Sequence, residues 1–219
     1  MIDLHVHSLL SDGELLPVEV ARRFEAAGYK VVAITDHVGP SNLEGVIRAV
    51  QKVALQINPL GGIKVIPGVE ITHVPPALIG PMVKKSRELG ARLVVVHGET
   101  IVEPVREGTN LAAIEAGTDI LAHPGLLGLE EARLAAQRGV FLEITSRRGH
   151  SLTNGHVARV AKDVGARLVL SSDAHSPEDI WPPEKLKEVI MGAGLKEEEF
   201  DEIMKGMQEL AERCLGSEI

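Results

Sequence analysis

The stretch MIDLHVHSLLSDG, residues 1–13, sets two histidines on either side of one valine at the end of an apolar run, and an aspartate follows five residues later. Side chains alternate along a β-strand, so His5 and His7 face the same way, about 7 Å apart along the backbone. Two imidazoles on one face can close on one ion, provided other parts of the chain deliver further donors to the same place.

Runs of the same character recur at 31–35, 63–70, 92–97, 119–123, 140–144 and 167–172, after the first at 1–6. Each is short, β-branched and almost continuously apolar, the pattern of a parallel strand buried on both faces. Helical patterns lie between them at 17–28, 42–58, 76–90, 104–117, 129–139 and 154–165, several opened by proline or closed by glycine. Strands alternating with helices imply a parallel sheet. Seven repeats predict an α/β fold closed as a distorted, TIM-like (β/α)7 barrel; an open doubly wound sheet is the alternative. The stretch 197–216 sets Phe200, Ile203, Met204, Met207, Leu210 and Cys214 on one stripe. That predicts a C-terminal helix over 197–215, packed on the barrel or offered to a second subunit. The whole chain, 1–219, reads as one domain.

Composition narrows the function. A hydrophobic share of 44% supplies a full core. No apolar run has the length of a membrane span, and the N-terminus lacks the basic-then-apolar order of a signal peptide, so a cytoplasmic protein is expected. The single cysteine, Cys214, fits a reducing compartment. The formal charge of −8 and an aromatic share of 2% argue against a basic, base-stacking nucleic-acid face.

The decisive pattern is at the strand ends. The seven runs end, in order, in His5 and His7 with Asp12; Asp36 and His37; Glu70; His97; His123; Glu143; and Asp173 with His175. In a β/α barrel these ends form the catalytic face. Six of the nine histidines lie there, among carboxylates and without cysteine. That donor set suits Zn, Mn or Fe and speaks against a thiolate structural site. Asp36 and Glu143 either bind directly or orient a neighbouring ligand, and Glu143 has the further option of filling the barrel floor.

The segments HVHSLLSDG, ITDHV, GVEIT, VVHGE, LAHPG and SSDAH, in this order from His5 to His175, resemble the motifs of the PHP (polymerase and histidinol phosphatase) family. The length and the GHSLTNGH stretch (149–156) resemble its free-standing, histidinol-phosphatase-like members. The resemblance implies a PHP-type barrel with two or three divalent ions. One would be held by His5, His7, Glu70 and Asp173, a second by Glu70, His97 and His123, and a third by Asp12, His37 and His175. Asp12 stands where some members carry histidine. The implied activity is hydrolysis of a small phosphomonoester, histidinol phosphate or a similar metabolite, by a metal-activated hydroxide, with Glu70, Asp173 and His175 catalytic. Expected substrate contacts are Arg147, Arg148 and His150 on the same face, with His73 and Asn154, although the arginines also read as solvated charges and Asn154 as a helix cap. Glu99 and Thr100 could orient His97. A phosphodiesterase or exonuclease acting on nucleotides, and a non-catalytic metal-binding protein, are the alternatives. An amidohydrolase barrel lacks support because no strand end offers a lysine.

Overall fold

Each apolar run becomes a parallel strand, and the helical patterns between them become its outer layer. The computed structural model describes residues 1–216; residues 217–219 lie outside the described residues. The strands are β1 (Ile2–Val6), β2 (Val31–Ile34), β3 (His37–Val38), β4 (Lys64–Ile71), β5 (Leu93–His97), β6 (Ile120–Ala122), β7 (Phe141–Thr145) and β8 (Leu168–Ser171). The helices are α1 (Pro17–Ala26), α2 (Leu43–Ile57), α3 (Pro76–Glu88), α4 (Thr109–Ala116), α5 (Leu129–Arg138), α6 (Asn154–Val164), α7 (Pro183–Gly192) and α8 (Glu197–Leu215).

The strands run side by side in the order β1-β2-β4-β5-β6-β7-β8, all parallel. Strand β3 continues the line of β2. Val31–Ile34 pairs with the start of β4, and His37–Val38 pairs with its end. The two pieces form one interrupted stave, so the barrel has seven. The break falls at Thr35 and Asp36, where side chains take over from the ladder. Thr35 Oγ1 accepts from Val6 N at 3.1 Å, and the Asp36 carboxylate accepts from Ser8 N, Ser8 Oγ and Ser11 Oγ, each at 2.7 Å.

The last strand returns to the first. Val6 bridges Ala174 in parallel, His7 N donates to Ala174 O at 2.9 Å, and Asp173 N donates to His5 O at 3.0 Å. Below that bridge a side chain completes the seam: the buried Asp3 carboxylate accepts from Ser172 N at 3.1 Å and from His5 N at 3.2 Å. The sheet is a nearly closed barrel, and the doubly wound alternative falls because its edges meet.

Helix α8 lies across the end of the barrel where the strands begin. Ile203, Met207, Leu210 and Cys214 are buried, Met207 Sδ accepts from Leu170 N at 3.4 Å, and Arg213 pairs with Asp119 at 2.8 Å. The apolar stripe is thus spent within the chain. Two elements differ from the sequence reading. Helix α4 begins at Thr109 rather than 104, because Pro104 and Gly108, at φ 88°, keep the preceding segment irregular. Helix α7 has no counterpart in that reading; Pro183 opens it, and only Leu186 and Ile190 are buried.

Asp3 is the costliest part of the seam. Burial pushes its carboxyl up to about 7, against the hydrogen bonds from Ser172 and His5. A carboxyl raised in the folded state binds its proton more tightly there than in the unfolded chain, so its contribution to stability falls as pH rises from about 4 to 7. Asp3→Asn should therefore gain stability relative to the unaltered protein between pH 5 and pH 8, read from urea midpoints in chelator. Asp3→Ala strands both amide donors and should cost about 1–3 kcal/mol.

Candidate metal centre

Register brings the donors together. His37 lies beside Glu70 in the β3–β4 pairing, and His97 lies beside Ala122, one residue before His123. The β1–β8 seam sets His5 and His7 beside Asp173. Among the described residues, only His73, His123 and Asp173 take positive φ without being glycine, at 52°, 27° and 52°. Such backbone costs on the order of 1–3 kcal/mol per residue and persists where the surroundings enforce it. Gly13 lets the loop after β1 fold back, since a Cβ there would lie 2.7 Å from the His7 carbonyl.

Five buried groups form the inner shell. His5 Nε2 is 3.1 Å from His7 Nε2, 3.5 Å from Glu70 Oε1 and 3.8 Å from Asp173 Oδ1. His7 Nε2 is 3.2 Å from Asp173 Oδ1 and 3.6 Å from Glu70 Oε2. His123 Nε2 approaches Glu70 Oε1 at 3.6 Å and Asp173 Oδ2 at 3.7 Å. On one flank His97, His123 and His150 gather; on the other Asp12 Oδ1 meets His175 Nε2 at 3.3 Å and His37 Nε2 at 3.5 Å, with His7 beside them. All nine ligand candidates fall into these overlapping groups.

Proton accounting shows what the groups are built for. His5 Nδ1 donates to Glu143 Oε1 at 2.7 Å, and His37 Nδ1 to Glu70 Oε2 at 2.6 Å. His97 Nδ1 donates to Gly98 O at 3.1 Å, and His175 Nδ1 to Asp173 O at 2.9 Å. Carbonyls and carboxylates only accept, so in each neutral ring Nε2 presents a lone pair. Those lone pairs face carboxylate oxygens. Glu70 Oε1 is buried with no hydrogen-bond partner. Convergent lone pairs and an orphaned carboxylate oxygen call for positive charge, and imidazole with carboxylate is a competent donor set for divalent ions. The residues fit such ions.

Without ions, protons carry the compensation. Burial opposes charge on His5, but Glu143, Glu70 and Asp173 outweigh it and raise His5 well above the histidine range. Burial likewise opposes charge on His37, and Glu70 lifts it to about 9. Burial, with His37 and His97 as neighbouring cations, drives His7 and His123 respectively well below that range. Glu70, despite burial, is held well below the carboxylate range by His5 and His37, whereas burial lifts Asp173 to about 7. Burial also works against Asp12, but His175 and His37 hold it at about 2.

Glu143 takes the orienting role, accepting from His5 Nδ1 and from His123 N at 3.0 Å. Asp36 fixes the loop that carries Asp12 and touches no ligand ring. Gly98 O, not Glu99 or Thr100, orients His97: Glu99 bonds Asn110, and Thr100 Oγ1 bonds His150 Nδ1 at 2.8 Å. Arg147 pairs with Asp179 at 3.0 Å, and the same carboxylate oxygen accepts from His175 N and Ser176 N, so Arg147 braces the loop after β8. Asn154 spends its amide on Thr145 N and O rather than on a helix cap. Arg148 is exposed and has no partner among the described residues. His150 is buried and stacks on His123 with ring centres 4.1 Å apart. His73 is exposed at the mouth. The group missing from the sequence reading is Glu103, whose carboxylate faces His73, His97 and His150. Hydrogen bonding from His97 is the main reason its carboxyl is lowered to about 2. It lies in an irregular segment six residues past His97, where neither periodicity nor a strand end marks it.

Comparisons with known proteins bear on the family and the fold. A family model for the PHP domain matches residues 3–95. An uncharacterized protein of Methanocaldococcus jannaschii is 45% identical over 91% of this chain and 92% of its own length. A Shewanella loihica protein described as a probable phosphatase is 30% identical over 87% of this chain and 84% of its own. The crystal structure of histidinol phosphate phosphatase from Lactococcus lactis, complexed with zinc, L-histidinol and phosphate, superposes with a TM-score of 0.60 at 18% identity, covering 89% of this chain and 94% of that one. That likeness is one of fold.

Glu143 accepts two donors at once, and glutamine can accept only one with its oxygen while turning its NH2 toward the other. Glu143→Gln should leave the fold intact and weaken zinc binding about 10–100-fold, read by calorimetric titration of metal-free protein.

Proposed function

The chain belongs to the PHP domain family, and on that premise we propose that it is a metal-dependent phosphoesterase that hydrolyses a small phosphomonoester at a trinuclear centre. The observation that carries this reading is the convergence of imidazole lone pairs and carboxylates from all seven staves on one buried spot. In it, His5, His7, Glu70 and Asp173 would hold one ion, Glu70, His97 and His123 a second, and Asp12, His37 and His175 a third. Divalent ions held there would supply an acidified water and positive charge to offset the phosphoryl oxygens in the transition state.

The chain's own residues set the stage for that chemistry. Glu70 and Asp173 fix the spacing of the groups around them, since each approaches four imidazoles. His175 stays aimed inward because Asp173 O holds its Nδ1 and Asp179 holds its backbone. These three form the catalytic set. Arg148 and His150 are the substrate contacts, Arg147 and Asn154 position the loops around them, and His73 lies at the mouth. Filled with ions, the pocket is positive although the chain carries −8 overall, so a phosphate dianion is attracted to it. The neighbour that holds zinc, L-histidinol and phosphate supports a small phosphorylated metabolite of that kind.

Purified protein with Zn or Mn should turn over p-nitrophenyl phosphate and lose that activity in EDTA. Glu70→Ala should reduce kcat by at least about 10²–10³-fold together with metal content. Histidinol phosphate should be hydrolysed faster than a 3′,5′-bisphosphonucleotide or a labelled oligonucleotide; the reverse order would replace this reading with a phosphodiesterase.

A further inference from the structure

The carboxylate of Glu103 stands at the mouth of the barrel, on the irregular segment between β5 and α4. Its Oε2 is 3.0 Å from His73 Nε2 and 3.2 Å from His97 Nε2, and its Oε1 is 3.4 Å from His150 Nε2. His97 has already given its Nδ1 proton to Gly98 O. In the neutral ring its Nε2 lone pair therefore points at the lone pairs of Glu103, an arrangement that repels unless a cation lies between. An added proton on His97 relieves one contact. A single metal ion would serve His73 and His97 together, because both imidazoles converge on the same oxygen, Oε2.

The spacing also suits an ion. Bonds of about 2.0–2.2 Å from a zinc-like ion place donors roughly 3.0–3.5 Å apart, for angles between square and tetrahedral. The two nitrogen–oxygen separations lie in that range, and His73, His97 and Glu103 offer three donor atoms within 4.8 Å of one another. His73 is the third of the non-glycine residues held at positive φ, and the other two, His123 and Asp173, belong to the inner centre.

Exposure separates this group from the inner ones. The side chains of His73 and Glu103 are 42% and 38% exposed, whereas His97 is 2% exposed. Both line a cavity of about 390 Å³ whose lining also includes Asp12 and His37. His97 is thus the common member of a wet group facing solvent and a dry group with His123 and His150. Its single Nε2 can serve one ion at a time.

We propose that His73, His97 and Glu103 form a solvent-facing divalent-cation site through which ions enter the buried centre, His97 passing from the outer ion to the inner one. The site rests on the reading of the inner groups as an ion-binding centre. Two exposed ligands leave an arriving ion part of its hydration, and one buried ligand draws it inward, so desolvation is spread over two steps.

The test follows ion uptake, with no assay of turnover. Metal-free protein is mixed with zinc carried by a chromophoric chelator, the transfer rate is read by stopped flow, and the final zinc content is measured by elemental analysis. Glu103→Gln and His73→Ala should each slow loading about tenfold while reaching the unaltered protein's final content. Glu107→Gln, an exposed charge on the same segment, should load at the normal rate. Unchanged rates in both variants would overturn the entry site. A lower final content in either would make these residues resident ligands of the inner centre and overturn it equally. If the unaltered protein takes up no zinc, the inner centre itself is refuted and the entry site with it. Slowed loading in a protein inactive toward every phosphate ester would leave the entry site standing and remove only the phosphoesterase reading.

Discussion

A buried carboxylate surrounded by lone pairs cannot stand alone, and Glu70 is such a group. It is wholly buried, its Oε1 has no hydrogen-bond partner, and the imidazoles of His5, His7 and His123 turn nitrogen toward it. Stripping one charge of water costs several kcal/mol even after the protein relaxes. The chain adds to that cost rather than reducing it, by packing the strand ends together and by holding His123 and Asp173 at strained backbone angles. Such an arrangement is stable only if positive charge is supplied at the centre. The seam, the register and the bracing hydrogen bonds all serve to keep those donors aimed at it.

The barrel divides its two ends by polarity. At the floor, α8 lays Ile203, Met207 and Leu210 against the beginnings of the strands. At the other end the same strands finish in histidine and carboxylate. The alternation that puts Leu4 and Val6 toward the helices puts Asp3, His5 and His7 toward the interior, so one strand carries both core and chemistry. Asp3 links the two: it satisfies the Ser172 amide where the ladder between β8 and β1 lacks a partner, and it does so directly beneath the donors that the seam must align.

Much of this was legible in the sequence because it follows from short-range rules. All seven long strands read as apolar runs, and their ends name all nine ligand candidates, since a polar residue closing a buried parallel strand has one place to go. What escaped has a physical reason in each case. Strand β3 is two residues long and exists only because Asp36 breaks its stave. The residues before α4 carry charges that suit a first helical turn, while Pro104 and Gly108 keep them out of it. Helix α7 buries two residues and has too little periodicity to see. Arg147 and Asn154 had the chemistry of substrate contacts, but Asp179 and the Thr145 backbone claim them, and such partners lie 32 and 9 residues away. Glu103 is the clearest case: its importance comes from three imidazoles that approach it through space and from none of its neighbours in the chain.

The donors also grade from dry to wet. His5 and Glu70 are fully buried, His97, His123 and Asp173 nearly so, His37 is 25% exposed, and Asp12 and Glu103 are the most open carboxylates, at 57% and 38%. Electrostatic attraction weakens as water enters, because the effective dielectric rises. An ion between His5 and Glu70 would therefore be held by strong, unscreened interactions and would leave slowly. One at Asp12 or Glu103 would keep part of its hydration and exchange more freely. Since the inner positions have no face of their own toward solvent, their ions must cross the outer ones, and the acidic groups with the least burial stand on that route. The same gradient suits a substrate anion arriving from outside: it meets the loosely held, incompletely coordinated positions first, where displacing water costs least, while the buried pair keeps its geometry.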